Sequence, residues 1–202
     1  MKTLLPYCNK IRATCMLVLL LLLTGCSSTA TRDEKADAPV KLPKNYDNAL
    51  VLMQSGDYQA AIPVLQAFIE DQPELAGPYL NLGISYQKTG QFEAAVAALI
   101  KATELNPDNT IAYQQLGITY REQGDFKAAL DAYTFALKLD SDYALAHRNI
   151  GILYDLYLQQ PTQALNHYKR YLELIGEPDQ TVDRWVIDLE RRTGTTSART
   201  TP

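Results

Sequence analysis

The side chains best suited to nucleophilic, acid–base or metal chemistry in this sequence are Cys8, Cys15, Cys26, His147 and His167. Cys26 is the one whose setting specifies a chemistry. It follows Leu23-Thr24-Gly25 at the end of an unbroken apolar run, Met16–Leu23, which itself follows Lys2, Lys10 and Arg12. A basic start, a short apolar core and small residues before a boundary are the layout of a secretory signal. The run is too short for a permanent membrane-spanning helix, which needs about 20 apolar residues. The histidines have no comparable setting: they lie in different segments without acidic or thiol partners at ligand spacing, so no metal is expected. A phosphate-binding loop and a Gly-rich dinucleotide turn are absent. Neither an enzyme nor a cofactor is expected.

With the segments before it, Leu23-Thr24-Gly25-Cys26 resembles the lipobox of bacterial lipoproteins. The resemblance implies that residues 1–25 are cut away and that Cys26 becomes the point of lipid attachment, acylated on its thiol and its new amine. Cys8 and Cys15 would leave with the signal, so no disulfide can form within one chain. The chain carries 19 Lys and Arg against 23 Asp and Glu; three of the bases leave, and a balance of −7 remains before lipidation. Such a surface argues against nucleic acid, whose phosphates call for Lys and Arg. It gives no polybasic grip on anionic lipid either, so the membrane is held through the N-terminal acyl chains. The residue after the cysteine is Ser27 rather than Asp, and by the same resemblance the bacterial outer membrane, periplasmic face, is expected. Residues 26–41 are small, polar and charged, a tether that stretches to about 50 Å at most.

The elements beyond the tether repeat every 34 residues. Ala49, Gly83, Gly117 and Gly151 keep that spacing, as do Gly56, Gly90 and Gly124, the aromatics Tyr58, Phe92 and Phe126, and Ala61, Ala95 and Ala129. The run from Tyr79 to Tyr86, with Ala95, Ala102 and Pro107, resembles the tetratricopeptide repeat (TPR) over residues 42–178. The fold implied is an all-α superhelix of about four repeats, at 42–75, 76–109, 110–143 and 144–178. Each repeat is two antiparallel helices whose small residues sit where the backbones cross. Asp57 and Asp125 are placed to cap second helices. The fourth repeat holds one extra residue between Gly151 and Ala164, expected to lengthen its first helix or its turn. Val182, Trp185, Val186 and Leu189 recur at helical spacing, a capping helix over 179–193. Residues 194–202 are expected to be a disordered tail. His147 stands where neighbouring repeats carry Tyr79 and Tyr113, so a packing role is expected; His167, beside Asn166 and Lys169, is expected on the surface.

In such repeats the first helices line the concave face. The resemblance places Tyr46, Leu50, Met53, Leu80, Ile84, Gln87, Ile111, Gln114, Ile118, Arg121, Leu145, Arg148 and Ile152 along a partner-binding groove. Leu50, Ile84, Ile118 and Ile152 stand where the family commonly has a polar residue. An exposed aliphatic stripe of this kind marks a binding surface. Asn81 and Lys88 suit a clamp for a C-terminal carboxylate, but Ile84 and Ile118 fill the places of its polar groups. An amphipathic helix or an extended apolar segment of a protein partner is the better match. The expected function is a membrane-tethered scaffold or adaptor, in pilus or secretin assembly by analogy with TPR lipoproteins. A docking or regulatory factor for a peptidoglycan hydrolase is the alternative.

Overall fold

The periodic apolar positions fold into helices whose bounds follow the punctuation of the sequence. The computed structural model describes residues 44–195, all within the compact unit Leu42–Pro202. The expected signal, Cys26, the tether and residues 196–202 of the expected tail lie outside the described residues. Four helical hairpins follow one another: α1 Lys44–Gln54 with α2 Tyr58–Asp71, α3 Ala76–Lys88 with α4 Phe92–Leu105, α5 Thr110–Gln123 with α6 Phe126–Leu139, and α7 Ala144–Ile152 with α8 Pro161–Ile175. A last helix, α9, runs over Gln180–Thr193. Each helix packs on its neighbours in sequence, and α3 with α5, then α5 with α7, also touch. The first helices therefore share one face of a solenoid, and α9 closes its end against α8.

Helix ends have local causes. Asp57 and Asp125 accept from the backbone N–H of Ala60 and Ala128 at 3.1 and 3.0 Å, so each caps a second helix as expected. Between hairpin helices, Gly56, Gly90 and Gly124 take φ of 83°, 77° and 84°, the left-handed turn that lets the next amide reach back. Asp125 N–H meets the Tyr120 carbonyl at 2.9 Å in this way. Asp179 caps α9 from 3.0 and 3.2 Å and also accepts the Tyr171 hydroxyl at 3.1 Å.

Small residues set how closely the hairpins close. Ala61, Ala95, Ala129 and Ala164 are wholly buried. At Gly83 an added Cβ would sit 2.5 Å from the Leu99 side chain, and at Gly117 it would overlap the Tyr133 ring. The core that results has no single centre. It passes from the cluster around Tyr46, Leu65 and Phe68 to Leu99 and Leu116, then to Tyr133, Ile150 and Leu153, and ends on Tyr168, Val182 and Leu189. Fully burying a Leu, Ile or Val contributes about 1.5–3 kcal/mol, so each hairpin gains its stability from the next.

The extra residue of the fourth repeat is absorbed in its first helix. After Ile152 the helix widens into a π-turn over Leu153–Tyr157, with Leu158 N–H bonded to the Leu153 carbonyl at 3.0 Å. The left-handed place that glycine holds in the other hairpins falls on Gln159, at φ 53°. Leu153 is fully buried, at the place that Ser85 and Thr119 bury in the two repeats before it, and Leu156 and Tyr157 are exposed.

Candidate protein-binding groove

The residues assigned to the groove fall into three groups. Ile111 and Leu145, near the starts of α5 and α7, are 50 % and 44 % exposed. Leu50, Met53, Leu80, Ile84, Ile118, Arg121, Arg148 and Ile152 are half-buried. Leu50 and Met53 lean on the first core cluster, Leu80 on the Leu99–Leu116 cluster, Ile118 on that around Tyr133, and Ile152 on that of α8 and α9. The aliphatic row is thus partly core and partly surface: Leu50, Ile118 and Ile152 each commit one flank to a core cluster, and Ile84 is half-buried.

Tyr46, Gln87 and Gln114 are corrected. Each is only 6 % exposed, so none offers its side chain to the open groove. Tyr46 stacks 5.0 Å from the Phe68 ring and accepts a hydrogen bond from the Asn81 amide at 2.6 Å. Its burial pushes the phenol up in pKa, with the Asn81 bond acting against the shift. Gln87 donates to the Glu122 carboxylate at 2.6 Å, across from α3 to α5. The physical reason is the close approach of successive first helices, which covers side chains lying between them. The amide oxygens of Gln87 and Gln114 remain buried without a hydrogen-bond partner. Such acceptors are costly to leave unmade.

Arg121 and Arg148 give the groove its cations. The Arg121 guanidinium faces Glu122 at 4.0 Å and lies near the buried Tyr133 hydroxyl. Burial raises that hydroxyl to about 12, and the guanidinium pulls it back the other way. Arg148 sits 6.0 Å over the Trp185 ring of α9. Toward the end of the groove Asp155 binds Arg192 at 2.9 Å, so α9 contributes a charge there.

The histidines are the site that sequence reasoning missed. His167 is half-buried rather than on the surface, and its Nδ1 lies 3.0 Å from Nδ1 of His147. His147 Nε2 faces the Ser141 carbonyl at 3.1 Å, so that nitrogen carries the proton and donates. Nδ1 of neutral His147 is then an acceptor, and Nδ1 of His167 must donate to it. Burial, and then the neighbouring His147, lower His167 to about 4. Both rings join the α7–α8 packing, with Tyr154 stacked 5.8 Å from His167. Only the register of α7 against α8 could have revealed this pair, and the extra residue in the fourth repeat hides that register. Among the described residues no group of three or more His, Cys, Asp and Glu is placed to hold a metal ion.

With this geometry in place, the likeness to known proteins is specific. A tetratricopeptide-repeat family model matches residues 52–117 and a second TPR model matches residues 117–156. Among curated proteins none matches this chain. Solved structures share the fold. A crystal structure of MamA has a TM-score of 0.64 at 23 % identity, over 72 % of this chain and 84 % of that one. MamA from Desulfovibrio magneticus RS-1 reaches 0.66 at 18 % identity, over 76 % and 88 %. The pilF protein of Pseudomonas aeruginosa reaches 0.67 at 21 % identity, over 75 % and 68 %. The two family models together run over residues 52–156, more than half of the chain, and the hairpins, their left-handed turns and their small-residue crossings are those of the repeat. The chain is a tetratricopeptide-repeat protein, an all-α scaffold of the kind that binds other proteins.

Proposed function

We propose that this TPR protein is a lipid-anchored, non-catalytic scaffold on the periplasmic face of a bacterial outer membrane, holding a protein partner in the groove of its first helices. The observation that carries the groove is the apolar surface it keeps: Ile111 and Leu145 exposed, flanked by the half-buried row Leu50, Ile84, Ile118 and Ile152. Elsewhere the family's usual choice at the row's positions is polar, so four aliphatics there favour an apolar partner segment, an amphipathic helix or an extended strand. The anchor is supported by Leu23-Thr24-Gly25-Cys26 and the basic and apolar segments before it.

The partner we favour belongs to pilus or secretin assembly. What supports this is the combination of a lipobox-like start with few repeats, as in TPR lipoproteins of that role, and the fold likeness to pilF of Pseudomonas aeruginosa. The test is the state of the secretin in envelopes of cells lacking the protein, followed as heat-resistant multimers on gels. Loss of multimers, restored by the wild-type chain but not by Cys26→Ala, supports the assignment. Normal multimers with altered cell-wall cleavage would transfer the partner to a peptidoglycan hydrolase.

A further inference from the structure

The far end of the groove holds a cavity of about 600 Å³ between the π-turn, α8 and α9. Ile152, Leu156, Tyr168 and Trp185 form its apolar walls. We propose that it is an anchoring pocket for one large apolar side chain of a partner helix that carries Lys or Arg one turn further on. The inference rests on the groove reading and deepens it by naming the partner's chemistry.

Three independent features meet here. First, Leu156 is 65 % exposed, whereas the same place in the other repeats holds Gln54, Lys88 and Glu122. Of these four places, only the one beside this cavity carries an apolar side chain. Second, the wall includes the π-turn and Gln159 in left-handed backbone, where glycine would be free of strain. π-turns and strained residues persist at sites where they shape a surface. Third, charge follows the same order on both sides. Ile152 and Asp155 are three residues apart on one wall; Trp185 and Asp188 are three apart on the other. Residues so spaced lie on one face of a helix, roughly a turn apart. Asp155 and Asp188 share a single guanidinium, Arg192, at 2.9 and 3.5 Å. Arg148, over the Trp185 ring, balances the second carboxylate, but it is half-buried while the Asp188 side chain is 62 % exposed, within a folded region where 20 Asp and Glu exceed 12 Lys and Arg. A cationic partner matches that excess, and an anionic one does not.

Trp185 is the only tryptophan of the chain, so the pocket carries its own reporter. The experiment uses residues 26–202 with Cys26→Ser and three synthetic helices of equal length: Leu/Lys amphipathic, Leu/Glu amphipathic, and Ala/Lys without an apolar face. The Leu/Lys helix is expected to shift Trp185 emission to the blue, saturably. Leu156→Gln, at an exposed position, should weaken that binding about tenfold or more. Asp188→Lys should weaken it similarly and favour the Leu/Glu helix instead. The proposal is overturned if Leu/Glu or Ala/Lys peptides act equally on the wild type, if Leu156→Gln changes nothing, or if Trp185 shifts with protein concentration alone, which would make a second copy the occupant. A natural partner that cross-links at Ile111 and Leu145 without any dependence on Leu156 would overturn this pocket and leave the groove standing.

Discussion

Gln159 shows how a single backbone angle records an insertion. Its φ of 53° belongs to the left-handed region, which costs a residue with a Cβ about 1–2 kcal/mol. Gly56, Gly90 and Gly124 take the same turn without that cost. Gln159→Gly is therefore expected to raise stability by about 1 kcal/mol, seen as a higher urea midpoint at unchanged slope. The histidine pair makes a pH prediction of definite sign. His167 is held near 4 when folded, below the ordinary histidine value near 6.5, so between those limits the unfolded chain binds more protons. Its contribution to stability is complete above pH 6.5 and is lost as the pH falls toward 4. Melting temperatures of wild type and His167→Gln should converge with acidification through that window; parallel curves would mean that His167 titrates normally. Cys26 lies at the other extreme of the chain. Cys26→Ala is expected to abolish incorporation of a fatty-acid analogue, because the sulfur is the proposed attachment atom; label persisting on the variant would remove the anchor.

At the scale of the elements, the hairpin crossing decides stability. Ala129 is wholly buried where α5 meets α6, and Ala95 holds the same place in the hairpin before it. Ala129→Trp forces a large ring into that contact, and overpacking of this kind costs about 1–3 kcal/mol or more. A thermal melt by circular dichroism should fall by several degrees; an unchanged midpoint would put Ala129 away from the crossing. These crossings were legible in the sequence because a fixed period repeats both the small residue and the glycine turn after it. The caps at Asp57 and Asp125 were legible for the same reason. What broke the period was less so. One surplus residue in the fourth repeat fits equally a longer helix or a longer turn, and spacing alone does not tell that it widens the helix after Ile152. The burial of Tyr46, Gln87 and Gln114 was hidden too, since a periodic position fixes the face of a helix and not how near the next helix comes. His167 met His147 through that same unresolved register.

Residues 44–195 form a row of hairpins, each incomplete alone, presenting the faces of the first helices to one side. Its groove is a graded surface. In the row, Leu50, Ile118 and Ile152 lean on the core clusters and Ile84 is half-buried, so Ile84→Asn with Ile118→Asn should lower stability, by about 1–3 kcal/mol, as well as binding. Ile111 and Leu145 stand clear of the core clusters, and their replacement by Glu should leave stability within about 0.5 kcal/mol. These two positions separate binding from folding. The most direct test of the scaffold is photo-cross-linking in living cells, with the reactive residue at Ile111, at Leu145, and at Lys127 on the second helix α6, whose side chain is 88 % exposed. A single partner is expected to be captured from Ile111 and from Leu145 but not from Lys127, and Leu145→Glu should abolish capture from Ile111. Capture from Lys127 alone, or from neither groove position, would contradict the account.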